Sequence, residues 1–196
     1  MNFLNDYILE DECVLLRPLL GEDCVNLLPF ALAEPEIWQY SLVAMAGEEN
    51  LQKYIATAIE GREKEHSYPF IVFDKRSKTY AGSTRFYDIQ IEFKTLQLGY
   101  TWYGKIFQGT GLNQHCKYLL LQFAFETLGM ERVEFRADNN NQKSIAAMKS
   151  IGCTIEGVMR SHLPKHGGGR RDSIVLSMLK KEWETGLKEK LFFKLK

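Results

Sequence analysis

Residues 95–138 contain two strand-like segments separated by one helix-like segment, and this order constrains the fold more than any other feature. Segment 95–102 (TLQLGYTW) alternates apolar side chains at the period of a strand. A helical pattern follows from about 111 to 128, and segment 132–138 (RVEFRAD) again alternates apolar and charged residues. Two strands joined by a helix are expected to lie parallel in one sheet, with a right-handed crossover.

The remaining segments complete a mixed α/β domain, and the expected element order is β-α-α-β-β-β-α-β-α-β-β. Further strands are expected at 13–17, 69–74, 79–88, 152–158 and 173–179, further helices at 21–33, 48–64 and 141–150, and a glycine-rich loop at 166–169. We therefore expect a single α/β (α+β mixed) domain. Its sheet of about seven strands is mostly antiparallel with a parallel central pair, and helices cover both faces.

Composition excludes several classes of protein. Hydrophobic residues make up 45% and charged residues 26% of the 196 residues, which excludes a disordered or collagen-like chain. The formal net charge is +0, which argues against a dedicated nucleic-acid binder. The four cysteines form no C-x-x-C pair, and the chain shows neither a signal-peptide pattern nor a long apolar run. We expect a reduced, cytoplasmic protein that binds no metal, no membrane and no nucleic acid.

The C-terminal residues differ from the rest in charge. Segment 180–196 carries six lysines and three glutamates. We expect a domain over residues 10–180 and a basic C-terminal tail over 181–196. The tail either contacts an acidic partner or forms a solvated helix face.

The segment between the first of the parallel strands and the following helix points to chemistry. A strand ends at Trp102, and a loop then holds Gln108, Gly109, Thr110 and Gly111 directly before the helix. Glycines let several backbone N–H groups approach a ligand, and the helix start adds unpaired donors and a positive dipole end. This arrangement suits a pyrophosphate, although the same spacing also occurs in ordinary turns.

Two other phosphate-binding loops do not fit this segment. A Walker loop requires Gly-Lys-Ser/Thr, but Gly111 is followed by Leu112 and Asn113. The dinucleotide fingerprint requires a third glycine where this chain has Gln114.

Gln108, Gly111 and Asn113 occupy the three positions of the motif Q/R-x-x-G-x-G/A, although Asn113 departs from its usual small residue. The sequence thus resembles the GNAT superfamily of acyl-CoA-dependent N-acetyltransferases. It is most similar to the RimJ/RimL-like branch, which acetylates protein N-termini and related small amines. The strand LGYTW, the segment NNNQKS and the run IGCTIEGVMR carry this resemblance, which covers about residues 13–179.

The resemblance implies that the two parallel strands separate into a V-shaped cleft that binds acetyl-CoA. The pantetheine arm is expected along 100–103 and beside Asn141, with the pyrophosphate on the amides of 108–113 and the Ser144 hydroxyl facing the sulfur. Asn141 also suits a helix N-cap. The expected cofactor-binding residues are Tyr100, Thr101, Trp102, Tyr103, Gln108, Gly109, Thr110, Gly111, Leu112, Asn113, Asn141 and Ser144.

The catalytic and acceptor residues are less constrained by the resemblance. Gln97 stands where many relatives carry a glutamate, so the candidate acid is Ser144 and the candidate bases are Glu92, Glu156 and His162. His162 is alternatively a surface residue without a role, and Glu156 alternatively pairs with Arg160 or caps a turn. Four aromatic residues are expected either to line the acceptor site or to belong to the core, and these are Trp38, Tyr40, Phe86 and Tyr87.

The expected reaction transfers an acetyl group from acetyl-CoA to a primary amine. A protein N-terminal α-amine is preferred, because its deprotonation at pH 7 costs about 1 kcal/mol, against about 4–5 kcal/mol for a lysine side chain. The alternatives are a small-molecule amine such as a polyamine, amino acid or antibiotic, or a non-catalytic acyl-CoA-binding regulatory module. The protein is expected to be a monomer or a homodimer.

Overall fold

The computed structural model describes residues 1–165 and 168–196, so part of the expected loop at 166–169 lies outside the described residues. The described strands are β1 (Leu9–Glu10), β2 (Val14–Pro18), β3 (Ser67–Asp74), β4 (Thr79–Gln90), β5 (Thr95–Tyr103), β6 (Arg132–Asp138), β7 (Thr154–Pro164) and β8 (Arg170–Leu179). The described α-helices are α1 (Cys24–Ala33), α2 (Glu48–Glu63), α3 (Leu112–Gln122), α4 (Gln142–Ser150), α5 (Lys180–Glu182) and α6 (Lys188–Phe193). None of these helices is both long and apolar enough to cross a membrane.

All eight strands form one sheet in the order β1-β2-β3-β4-β5-β6-β8-β7. Every neighbouring pair is antiparallel except β5 and β6, which are parallel and joined through α3. The mixed sheet and its parallel central pair are therefore confirmed. The helix between β5 and β6 imposes this arrangement, because parallel neighbours require a crossover connection.

Helices cover both faces of the sheet and divide the core into two clusters. The larger cluster contains Leu112 and Cys116 of α3 and Met148 of α4. The smaller cluster lies on the other face, under α1 and α2, and includes Tyr54 and Trp102. We call these the α3 face and the α2 face of the sheet.

A β-bulge distorts β5 in its second half. Gly99 faces Arg85 and Trp102 faces Ser83, so β5 carries one more residue than β4 between these pairs. Tyr100 takes up the extra length with a φ of 50°. On β4, Gly82 lies so close to the β5 backbone that a Cβ atom there would overlap the Trp102 carbonyl oxygen.

The strand boundaries differ from the expectations at the edges of the sheet. The two-residue β1 was not expected, since a strand this short has no detectable period. β7 extends to Pro164 and β8 begins at Arg170, so both are longer than predicted from 152–158 and 173–179. Polar residues make up half of the β7 extension (160–162) and all of the β8 extension (170–172), and they interrupt the apolar alternation on which the predicted bounds depend.

The C-terminal residues form part of the packed structure. Trp183 and Leu191 are 1% and 2% exposed within the larger core cluster. The Trp183 indole donates to Glu126 over 2.9 Å, and Lys188 pairs with the same carboxylate. Segment 181–196, expected as a basic tail, thus packs against the end of α3, because its apolar residues recur at helical spacing between the lysines.

Candidate active site

The parallel strands β5 and β6 separate soon after they begin. They pair only from Thr95 and Arg132 to Gln97 and Glu134, three residue pairs in all. Beyond this point β5 continues beside β4 to Tyr103, while β6 continues beside β8. A cleft therefore opens between the second halves of the two strands, and its open end lies at their C-terminal ends.

The loop at the start of α3 presents unused backbone donors at this open end. Gly109 and Gly111 have φ values of 77° and 87°, the left-handed region that glycine accommodates without strain. The backbone N–H groups of Gly109, Thr110, Gly111 and Asn113 donate no hydrogen bond to any residue that the structure describes. Open space surrounds the Cβ position of Gly109. Several free donors beside a helix N-terminus suit the binding of an anion.

Side chains brace this loop. Gln108 Nε2 donates to the Tyr103 carbonyl over 3.0 Å, and Thr110 Oγ1 donates to the Phe107 carbonyl over 2.8 Å. Arg76 Nη1 donates to the Thr110 carbonyl over 3.2 Å, which brings a positive charge to the loop. In this structure the Gln108 side chain holds the loop against β5, while the Leu112 side chain is fully buried in the core.

Asn141 and Ser144 lie at the start of α4, directly after the C-terminal end of β6. Asn141 Oδ1 accepts the Ser144 N–H over 3.1 Å, which makes Asn141 the N-cap of α4. Its amide nitrogen and the Ser144 hydroxyl have no hydrogen-bond partner among residues 1–165 and 168–196. Both groups are half-buried at the open end of the cleft.

His162 also lies near the open end. Its Nδ1 is 2.9 Å from Ser173 Oγ, and Ser173 is the β8 partner of Asp138 at the end of β6. Burial, followed by the positive charges of Arg136 and Arg171, lowers the pKa of His162. A lowered pKa leaves the imidazole neutral at pH 7, the form that accepts a proton.

The carboxylates of Glu92 and Glu156 lie at the opposite, paired end of the cleft. Glu92 is exposed in the turn that precedes β5. Glu156 accepts hydrogen bonds from Ser177 Oγ and Arg132 Nη1, both at 2.5 Å, and these bonds lower its pKa. Glu92 and Glu156 therefore lie away from the open end that Ser144 and His162 approach, and we do not carry them into the proposed mechanism. Glu156 has a structural partner, as one alternative expected, but that partner is Arg132.

The four expected acceptor aromatics lie in different places. Trp38 is 5.0 Å from Trp102 between ring centroids, and Tyr87 is 5.1 Å from Tyr100. Tyr40 is half-buried on the same side of the sheet, where its carbonyl lies 3.5 Å from Arg171. Phe86 is 0% exposed and packs between Phe70 and Phe123. Phe86 is therefore a core residue of the α3 face, since successive strand residues point to opposite faces.

Three buried basic residues around the cleft were not anticipated, namely Arg85, Lys117 and Arg171. Lys117 of α3 donates to Thr101 Oγ1 of β5 over 3.0 Å and lies 5.5 Å from the Phe135 ring of β6. Burial lowers its pKa to about 8. A single lysine in an amphipathic helix gave no signal in the sequence, because residues of both β5 and β6, distant from it in the chain, form its surroundings.

Asp11, Cys13 and His115 come together away from the cleft, with potential ligand atoms within 4.8 Å of one another. The Asp11 carboxylate already accepts the N–H groups of Cys13 and Val14 and contacts His115 Nδ1 at 2.7 Å. These contacts connect β2 to α3.

The described residues fit acetyl-CoA on observations independent of any comparison. The loop offers four free N–H donors and no acidic side chain, which suits a diphosphate. The separated β5 leaves backbone groups of residues 98–103 without a β6 partner, and a pantetheine arm could pair with them. The Asn141 amide nitrogen adds a donor beside this path.

Comparisons with known proteins agree with this geometry. A family model described as an acetyltransferase (GNAT) domain matches residues 14–154. The chain is 38% identical over 88 residues to the "Putative ribosomal N-acetyltransferase YdaF" of Bacillus subtilis (strain 168), which covers 45% of this chain and 47% of that protein. The match thus spans about half the length of that relative.

Solved structures resemble the chain over nearly its whole length. A crystal structure described as a "putative acetyltransferase" from T. thermophilus is 31% identical, with a TM-score of 0.86, and covers 96% of this chain and 97% of that chain. A GCN5-related N-acetyltransferase from Brucella melitensis has a TM-score of 0.90 at 23% identity, over 100% of this chain and 88% of that chain, which is a likeness of fold.

The buried Lys117 makes a testable contribution to stability. Its pKa falls from 10.5 when unfolded to about 8 when folded, so the unfolded chain binds more protons between these values. The destabilisation is therefore complete below pH 8 and disappears above about pH 10.5. At 1.36 kcal/mol per pKa unit it amounts to about 3 kcal/mol. Lys117→Met should raise the free energy of unfolding at pH 7 by up to this amount.

Urea denaturation at pH 7 and pH 10 measures this effect. The gain from Lys117→Met should shrink at pH 10, where the wild-type lysine is neutral when folded. Lys149→Met, at an exposed lysine of α4, serves as the control and should change stability by less than about 0.5 kcal/mol at either pH. A Lys117→Met protein that is no more stable than wild type at pH 7 would contradict the prediction.

Proposed function

The chain belongs to the GNAT acetyltransferase family, and on that premise we propose that it transfers an acetyl group from acetyl-CoA to a primary amine by direct attack in a ternary complex. The observation that carries this proposal is the early separation of β5 and β6 beside a loop with four free N–H groups. The proposed acceptor is the α-amine of a protein or peptide N-terminus, and the proposed location is the cytoplasm.

The acetyl donor is assigned to residues of the cleft and the loop. Acetyl-CoA supplies a thioester, whose carbonyl carbon is open to attack by a neutral amine. The amides of Gly109, Thr110, Gly111 and Asn113 would bind the diphosphate, and Asn141 Nδ2 would donate to the pantetheine arm. Backbone N–H groups of residues 100–103 would stabilise the negative charge that develops on the carbonyl oxygen.

Two side chains at the open end would move protons. The amine nitrogen forms a bond to the carbonyl carbon, the bond from that carbon to sulfur breaks, and the amine loses one proton. His162 would accept this proton directly or through a water molecule, because its lowered pKa keeps it neutral at pH 7. The Ser144 hydroxyl would donate to the departing sulfur. Since a thiol has a pKa of about 8.5, a weak acid is sufficient.

Two points support an N-terminal α-amine as the acceptor. Deprotonation of an α-amine costs only about 1 kcal/mol at pH 7, so positioning can supply most of the acceleration without a strong base. YdaF of Bacillus subtilis is named a "Putative ribosomal N-acetyltransferase", which favours a protein acceptor here too.

Thiol release from acetyl-CoA in the presence of different amines tests the proposal. Peptides with free N-termini should release CoA faster than polyamines or an aminoglycoside at equal concentration. Faster release with a small amine would support the alternative acceptor. Tight CoA binding without thiol release from any amine would contradict the proposed activity and support a non-catalytic acyl-CoA-binding module.

Gly111→Val tests the loop as the diphosphate site. A branched side chain at a φ of 87° strains the turn and intrudes beside the free amides, so the Kd for CoA should rise at least about tenfold. Calorimetric titration with CoA measures this change. Gly129→Val is a matched control, because Gly129 has a φ of 68° and open space but lies beyond the far end of α3. Equal effects of both variants on CoA affinity would remove the loop from the proposed site.

Ser144→Ala tests the proposed acid. Without the hydroxyl, kcat should fall at least about tenfold while the Kd for CoA changes less than about threefold, since the backbone cap by Asn141 persists. Steady-state kinetics and calorimetry together separate the two quantities. Ser150→Ala, in the last turn of the same helix, is the control. A kcat that is unchanged in Ser144→Ala would exclude the acid role.

A further inference from the structure

Arg85 lies in the middle of β4 without a compensating anion. Arg85 is 5% exposed, and its Nε and Nη2 atoms have no hydrogen-bond partner among the described residues. No carboxylate of residues 1–165 and 168–196 lies within 4.0 Å of the guanidinium. A buried charge without a partner costs several kcal/mol, so an arginine in this position indicates an anion supplied from outside the chain.

Two tyrosine rings surround the guanidinium. Its Cζ is 5.2 Å from the centroid of Tyr54 and 4.3 Å from the centroid of Tyr100. Such contacts favour the cation but accept none of its N–H groups in the plane of the guanidinium. No residue that the structure describes accepts a hydrogen bond from the donors at Nε and Nη2, and a planar carboxylate matches that fork of donors.

The position of Arg85 relates it to the cleft. Arg85 is the cross-strand partner of Gly99, and Tyr100 is the bulge residue of the separated part of β5. The guanidinium therefore lies against the wall of the cleft where the acyl group is proposed to bind. Its packing on Tyr54 of α2 places it on the α2 face, opposite the α3 face whose helix carries the diphosphate loop. An anion bound at Arg85 would therefore be distinct from the phosphates of CoA.

A second buried arginine reinforces the positive charge on this side. Arg171 is 6% exposed and has no carboxylate within 4.0 Å among the described residues. Its Nε donates to Ser173 Oγ over 2.8 Å, and the same oxygen lies 2.9 Å from His162 Nδ1. Arg171 and the proposed base His162 therefore contact the same Ser173 hydroxyl. Arg85 and Arg171 together place two positive charges on the proposed acceptor side of the cleft.

We infer that the acceptor carries a carboxylate close to its reactive amine, and that Arg85 binds this carboxylate while Arg171 adds a second positive charge. The inference rests on the proposed function and narrows its acceptor class. Two sources share this chemistry, namely a free α-amino acid, and a peptide whose first residue has an acidic side chain. In both, only a few bonds separate the amine from the carboxylate, so one molecule could place its carboxylate at Arg85 and its amine in the neighbouring cleft.

Matched amine pairs test the inference through thiol release from acetyl-CoA. Alanine against alaninamide probes the α-carboxylate, and the peptide amides Asp-Ala-Ala against Asn-Ala-Ala probe an acidic side chain. Rates are expressed per unprotonated amine, because removing a carboxylate alters the pKa of the amine. In at least one pair the carboxylate-bearing member should have a kcat/KM at least about tenfold higher. Equal values in both pairs would overturn the inference.

Variants assign the preference to Arg85. Arg85→Gln should reduce the preference at least about tenfold, and Arg85→Lys should restore part of it, because a charge remains without the fork. Arg62→Gln is a matched control that should keep the preference. Arg62 also lies over a tyrosine ring, 4.7 Å from Tyr68, but it is paired with Asp6. A preference that persists in Arg85→Gln would overturn the assignment.

A binding measurement separates failure of the inference from failure of the proposed function. If no amine in either panel releases thiol although acetyl-CoA binds, the proposed function fails. The protein is then titrated with N-acetylalanine while its tryptophan fluorescence is recorded, which tests the carboxylate site because Trp38 and Trp102 lie on the α2 face. Binding that is lost in Arg85→Gln supports the site, and absence of binding to the wild-type protein overturns it.

Discussion

The parallel pairing of β5 and β6 ends after three residue pairs, and the rest of the site depends on this early separation. Continued pairing would satisfy the backbone groups of both strands and leave no path between the two faces of the sheet. The bulge at Tyr100 turns the second half of β5 toward β4, and the close approach at Gly82 holds it there. β6 meanwhile stays with β8 along its full length. The cleft thus results because β5 continues to pair with β4, and β6 with β8, after their pairing with each other ends.

The two faces of the sheet carry different chemical groups, and the cleft connects these two faces. The α3 face offers uncharged backbone donors and a helix N-terminus, which suit a diphosphate held by many weak contacts. The α2 face offers aromatic rings and the fixed charges of Arg85 and Arg171, which suit a small anionic group. The proton-transfer candidates Ser144 and His162 approach from the open end between these faces. One opening in the sheet would therefore bring the proposed acetyl donor, the proposed acceptor and the candidate proton carriers to the same place.

The sequence predicted those features that depend on local spacing. The alternation of segment 95–102, the loop 108–111 and the helix after it lie close together in the chain, so their order alone predicts a loop at the end of a parallel strand. The N-cap expected at Asn141 is likewise local, and the structure contains it. Roles that depend on distant partners were harder to assign. Arg132, 24 positions away in the chain, binds Glu156. Phe86 and Tyr87 are neighbouring aromatic residues, and the face of the sheet to which each points separates the core residue from the one beside Tyr100.

Taken alone, the sequence determined the element types, the crossover between the parallel strands and the glycine-containing loop before α3, because helix and strand periods and glycine backbone freedom act over a few residues. Only the tertiary structure decided which charged residues lack partners. Arg85 and Lys117 read as ordinary basic residues in the sequence, and their burial without a carboxylate follows from strands and helices that pack from far apart in the chain. The free energy of a buried charge depends on the groups that surround it in space, and the order of residues along the chain does not specify those groups.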